Sequence, residues 1–495
     1  MGTIKYIAKT ITETAESIKW IATNGNITFN AAGEIIHQSR DKVTYGEYEP
    51  IENNDVDFKI TFSLNKSYQS VVPLGILDFN NEYENPYFAF DYSLSLNDID
   101  SLQFQITDAD GNVIYQLSNL APVVVIASRV PQINNKIKDL LPAYPSKTFD
   151  FGAILDQFSL LPADYTKVGS YVLYWDGFDN NEVYDSTRFN NKTLTAQVTA
   201  IKAGKRKNIK LEFSTRYEEV DWVDVKIDRK KNRIDTTLRV NLQDGGAKGL
   251  NCWKNTRNFN PLSNKSEICD WDKIPENSIM FYGEQPIKKR TRTFEELRNL
   301  ALRGINKYWS RKYETTGGVG TIINGEKWEI MTNTLQDING MTAPEIIFFT
   351  NDEETNFTRS RNWELSRKLF YIVGYTYDND WKTSKESIRY LNKGWYFKKE
   401  SNADEEFLET SAHEIGHQLL LKYGGHILSK THKGTSNWSM IIQEPNQDTA
   451  YPKNGEIDLM KYADDYYPVD YYQRVIIAPE DLLGLIWLTK IKVGL

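Results

Sequence analysis

Cysteine, histidine and methionine are scarce: the 495 residues contain 2, 5 and 6 of them. Two cysteines exclude a disulfide-dense scaffold. Cys252 and Cys269, 17 positions apart, have no neighbouring ligands and make no zinc site of their own; one disulfide and two free thiols both fit. No apolar run approaches the roughly 18 residues of a membrane helix, so no transmembrane segment is expected. Basic excess is lacking too. Lys and Arg total 59 against 67 Asp and Glu, for a net charge of −8 and a pI near 5.5. That balance argues against non-specific nucleic-acid binding. The opening residues Met1–Tyr6 lack the apolar region of a secretory signal, and Tyr6 stands where myristoylation wants Ser or Thr.

Four of the five histidines fall between 413 and 432. The run His413-Glu414-Ile415-Gly416-His417 puts two imidazoles at i and i+4, on one face of a helix, where they can share a zinc ion. Glu414 lies one residue round, within reach of a water activated by that metal. An HExxH of chance origin occurs in roughly one such chain in a few hundred. The flanks favour a helix packed on a core over a surface helix that happens to carry these residues. Asp404, Glu405 and Glu406 load a first turn, and Leu408, Ala412, Ile415 and Leu419 form an apolar stripe. Gly424-Gly425 ends it.

A catalytic zinc takes three protein ligands. The short metzincin spacing would need Gly at 420 and His at 423, where this chain has Leu420 and Tyr423. The residues leave His426, His432 and Asp458 as candidates. His432 is preferred, because glycines on both sides let its loop fold back to the helix. Met460 and Tyr462 have the look of a Met-turn beneath the metal; a core Met beside an aromatic is the plainer alternative.

The length predicts roughly two to four domains, and 29 Tyr with 12 Trp suit a β-rich protein. Residues 1–45 read as an arm without its own core. Residues 46–140 alternate apolar and polar positions, as in Val56–Leu64, with a hairpin turn at Asp108–Asn112. After a linker at Leu141–Ser146, residues 147–245 repeat that character in strands such as Tyr171–Trp175 and Thr236–Val240. Both segments are expected as β-sandwiches of immunoglobulin-like type. Residues 246–290 form an irregular connector. The segment 291–495 is expected as an α+β zincin (metzincin-like) metallopeptidase domain. It opens on a capping box at Thr293–Glu296, followed by strands near Lys327–Met331, Glu345–Phe349 and Leu369–Val373. The metal helix comes next, and Pro479 starts a last helix. The clusters Lys205–Lys207 and Arg229–Lys231 read as solvated turns, and Asp221, Asp224 and Asp228 are too scattered for calcium.

Most of residues 165–495 resembles the zincin-like metallopeptidase toxins linked to type VI secretion in Bacteroidetes and some other Gram-negative bacteria. The resemblance is carried by Trp175–Asn180, Tyr217–Lys226, Asp244–Gly246, His413–His417, Tyr423–Gly425, His432–Ser436 and Glu456–Tyr462. A weaker likeness joins Asn26–Thr28 and Val43–Tyr48 to segments appended to secretion-spike proteins. The resemblance implies zinc held by His413, His417 and His432, with Glu414 as general base. It implies a protein or peptide substrate, and a spike protein and an immunity protein as partners. It further implies synthesis in the bacterial cytoplasm and export without a signal peptide, by a contractile machine. Two other functions stay open: an adaptor of the secretion spike with a non-catalytic zinc site, and hydrolysis of a peptidoglycan cross-link.

Overall fold

In a computed structural model the described residues are 58–117 (except 81 and 83), 166–254, 267–277, 283–312, 320–351 (except 324), 359–378, 394–424, 450–461 and 467–494. The chain divides into two compact units, residues 1–55 and 56–495. The first unit, and with it the expected arm at 1–45, lies outside the described residues, as does the linker at 141–146. What is described is mostly β-sheet with few helices.

Two sheets face one another across aromatic rings. The smaller joins β1 (Lys59–Leu64), β3 (Phe88–Ser95) and β6 (Gly169–Trp175), all antiparallel. The larger has the order β2 (Ser70–Val71), β23 (Ile491–Gly494), β9 (Lys205–Tyr217), β8 (Lys192–Lys202), β4 (Ser101–Thr107) and β5 (Val113–Leu117). Alternation drives this packing: β1 runs exposed–buried over its whole length, so one face supplies Phe62 to the interior. Phe62 and Phe90 meet Phe104 at ring-centroid distances of 6.4 and 5.5 Å, and Phe90 meets Phe213 at 5.4 Å. Strands from 46–140 and from 147–245 intermingle in both sheets, and β23 adds a strand from the far end of the chain.

The third sheet positions the site. Its order is β14 (Thr321–Ile323), β15 (Glu326–Gln336), β11 (Arg233–Lys248), β16 (Met341–Phe349), β18 (Ser366–Ile372) and β17 (Arg361–Trp363). β10 (Val223–Asp228) pairs with the first half of β11, and β7 (Val183–Asp185) pairs with β10. β15 and β16 both run parallel to β11, and Val240 pairs with Gln336 of one and Met341 of the other. The chain therefore crosses from one edge of β11 to the other through residues 337–340. Gly340 makes that crossing: a Cβ there would fall 2.6 Å from the Arg239 carbonyl carbon. β11, from the segment expected as a second sandwich, is thus central to the sheet built mostly by 291–495.

Three small antiparallel or parallel pairs complete the strands: β12 (Cys252–Lys254) with β13 (Glu267–Cys269), β19 (Gly374–Asp378) with β20 (Gly394–Lys398), and β21 (Ile457–Asp458) with β22 (Val475–Ile476). Cys252 lies opposite Cys269 in its pair, and the two are joined as a disulfide.

Among the described residues the α-helices are α1 (Phe294–Tyr308), α2 (Glu400–Gly424), α3 (Tyr471–Arg474) and α4 (Pro479–Trp487). The expected capping box holds: Thr293 Oγ1 accepts from Glu296 N while Glu296 Oε2 accepts from Thr293 N. α4 opens on Pro479 as expected. α1 and α2 pack together and against the third sheet, α1 over β15 and α2 over β17 and β18. None of the described helices is long and apolar enough to cross a membrane.

Gly304 sets how closely α1 approaches α2, since a Cβ there would lie 2.0 Å from the Leu408 carbonyl oxygen. Ala in place of Gly normally gains up to about 1 kcal/mol in a helix. Here a clash with unyielding backbone wins. Gly304→Ala should destabilise the protein by at least about 2 kcal/mol, read as a lower urea midpoint; an unchanged or raised midpoint would refute this packing.

Candidate metal centre

Helix α2 carries His413, Glu414 and His417 through the interior. The expectation was an apolar stripe on one side; the structure buries every residue from Ser411 to Leu420. The two imidazoles stack edge to face with centroids 4.9 Å apart, as i,i+4 spacing requires.

His413 Nδ1 lies 2.7 Å from the Leu459 carbonyl oxygen. A carbonyl only accepts, so Nδ1 holds the proton and Nε2 keeps its lone pair. A ring held in this way by a backbone carbonyl presents Nε2 as the nitrogen that could bind a metal. Burial, reinforced by Arg359, holds the His413 pKa down to about 4 against the upward pull of the Leu459 bond. The ring is therefore neutral near pH 7.

Glu414 is almost fully buried. Burial pushes its carboxyl up to about 8; Arg359 and Arg361 oppose that, and Glu409 adds to it. Among the described residues its Oε2 has no hydrogen-bond partner. A buried carboxyl left open in this way fits a site that receives a cation, whose charge would restore the ionised form. The Glu414 backbone is held separately, since Asn362 Nδ2 donates to its carbonyl oxygen at 2.9 Å.

Leu459 belongs to a tight turn just after β21. Asp458 Oδ1 accepts from Met460 N at 2.9 Å, and Asp458 O accepts from Lys461 N at 3.0 Å. Met460 packs against the helix at Gly416, where a Cβ would come 2.6 Å from its Sδ. Trp309 Nε1 donates to Ala412 O at 3.1 Å and fixes the helix one residue before His413.

His413, Glu414 and His417 are thus brought together. His432, His426 and Tyr462 lie outside the described residues. Asp458 Oδ1 accepts within its own turn, and among the described residues no three His, Cys, Asp or Glu side chains gather as a ligand group. The described donors are two imidazoles one helical turn apart, a pair whose chemistry fits a divalent cation such as zinc, with the Glu414 carboxyl next to them in sequence.

Sequence reasoning missed Glu409 and Tyr471. Glu409 is buried one turn before His413, and its Oε1 accepts from Tyr471 OH at 3.0 Å. Extending the i,i+4 series backward from His413 would have found Glu409; no local signal marks Tyr471. Comparison with protein-family models, curated proteins and solved structures finds no match to the chain.

Burial raises the Glu409 carboxyl from its ordinary 4.5 to about 7, against the Tyr471 hydrogen bond and with help from the charge of Glu406. The unfolded chain ionises first, so the stability tied to the protonated form is complete below about pH 4.5 and lost as pH rises through about 7. Metal-free Glu409→Gln should therefore gain on the parent across that window, by on the order of 3 kcal/mol. Paired urea melts between pH 4.5 and 8 check this; curves that stay parallel would contradict it.

Proposed function

We propose that the chain is a zinc-dependent peptidase with an α+β, metzincin-like zincin region beside β-sandwich regions of immunoglobulin-like type. His413 would hold the metal through Nε2 and His417 through a ring nitrogen, with His432 as third ligand. Zinc, when bound, supplies a Lewis acid for the scissile carbonyl and lowers the pKa of water. Glu414 takes a proton from the attacking water on its carboxylate and passes it to the leaving amine nitrogen. The Leu459 carbonyl keeps His413 in the tautomer this needs, and the buried helix keeps bulk water from the carboxylate.

The observation that supports this most is the pairing, on one helix, of a tautomer-fixed His413 with a buried Glu414 oxygen that has no hydrogen-bond partner among the described residues. Together with the sequence resemblance it favours an effector made in the bacterial cytoplasm and exported by a contractile, type VI-like machine. A spike protein and an immunity protein would be its partners, and peptide bonds its substrate.

Zinc content by mass spectrometry, with peptide cleavage measured beside it, tests the proposal. Wild type should carry one zinc per chain, and His413→Ala should lose it. Glu414→Gln should keep zinc and lose at least about 100-fold in cleavage rate. A zinc-loaded, fully active Glu414→Gln would remove Glu414 as the base. Wild type that takes up no zinc would overturn the peptidase and leave the spike adaptor.

A further inference from the structure

The peptidase reading gives no role to the buried guanidinium of Arg311. Arg311 is only 3 % exposed and follows α1 by a few residues. Its backbone is tied to Ile330 in both directions, at 2.8 and 2.9 Å, so its position is fixed by strand β15. Its guanidinium then reaches three ways. Nη2 donates to both Glu456 carboxylate oxygens at 2.7 Å, Nη1 to the Ile477 carbonyl oxygen at 2.6 Å, and Nε to Gly320 O at 3.1 Å.

Glu456 immediately precedes β21, and Ile477 immediately follows β22. One side chain therefore grips both strands of the β21–β22 pair. Leu459 hangs from that pair: its N–H donates to Ile476 O at 2.9 Å while its carbonyl accepts from His413 Nδ1 at 2.7 Å. The path from Arg311 to His413 is continuous, through two backbone segments that are also held by Ile477 N donating to Tyr308 O at 3.1 Å and by the core packing of Ile457, Leu459 and Val475. A planar, five-donor guanidinium can hold a bidentate carboxylate and two carbonyls at once; an ammonium cannot.

We propose that Arg311 is the positioning residue of the metal centre: by clamping β21 to β22 it sets the Leu459 carbonyl, and through it the tautomer and orientation of His413. The clamp acts on the imidazole whether or not zinc is present. Only the affinity arm of the test rests on the peptidase proposal.

The experiment compares wild type, Arg311→Lys, Glu456→Gln and a control, Glu84→Gln. Glu84 forms a mostly buried ion pair with Lys490 at 3.0 Å and touches neither clamped strand. Nitrogen-15 NMR of labelled histidine in the metal-free, full-length protein at pH 7 reads the tautomer. Chelator competition reads zinc affinity, and thermal melts read stability. Wild type should show His413 with its proton on Nδ1. Arg311→Lys and Glu456→Gln should show mixed tautomers and zinc binding weakened about 10- to 100-fold, the usual effect of losing an outer-shell partner. The control should lower the melting temperature and move neither.

A folded Arg311→Lys with the pure Nδ1–H tautomer and parental zinc affinity would overturn the proposal. Should Arg311→Lys fail to fold, Glu456→Gln decides by the same two readouts. If wild type binds no zinc, the peptidase proposal falls, and the tautomer comparison still decides the role of Arg311.

Discussion

The burial of α2 governs the rest of this architecture. Ten consecutive residues, Ser411 to Leu420, lie inside the protein, and five of them are polar or ionisable. A polar group in the interior costs free energy unless something answers it. The surrounding elements supply those answers one by one. Leu459 answers His413, Tyr471 answers Glu409 one turn earlier, and Ser411 folds back onto Phe407 O. Asn362 and Trp309 take helix carbonyls from two other sides. Against that background Glu414 Oε2 has no hydrogen-bond partner among the described residues, which suits the general base proposed above.

Local rules made much of the fold legible. The α1 cap, the Pro479 start of α4 and the turn at 108–112 are each decided within a few residues, and each occurs where the sequence places it. The parallel partners of β11 are not legible in that way. Their register depends on residues about 100 positions away along the chain, and no alternation pattern encodes which distant strand will lie alongside. The strand expected at Lys327–Met331 is in fact eleven residues long, because its later half is held by β11 rather than by its own propensity.

The site was legible in part for the same reason. HExxH is a helical spacing, so His413, Glu414 and His417 declare themselves. The complete burial of their helix does not, since Ser411, Glu414 and Gln418 look like members of a solvent face. Glu409 and Tyr471 are 62 residues apart and meet only through tertiary packing. The clamp by Arg311 spans a still longer interval, 145 residues to Glu456.

Strand β23 is not an edge. It lies between β2 and β9, with Ile491 opposite Tyr217 and Gly494 opposite Ser214. During vectorial synthesis the ribosome therefore completes α2 and the β21–β22 pair before the six-stranded sheet can close. Until residues 491–494 emerge, Ser214–Tyr217 of β9 present unpaired amides and carbonyls at an open border. Completion of this sheet consequently waits for four residues that are made last among those described, far in sequence from the strand they pair with. A chain interrupted shortly before them would retain every residue of the HExxH helix and still lack the strand that seals the sheet. Its exposed β9 border would favour self-association over a finished fold.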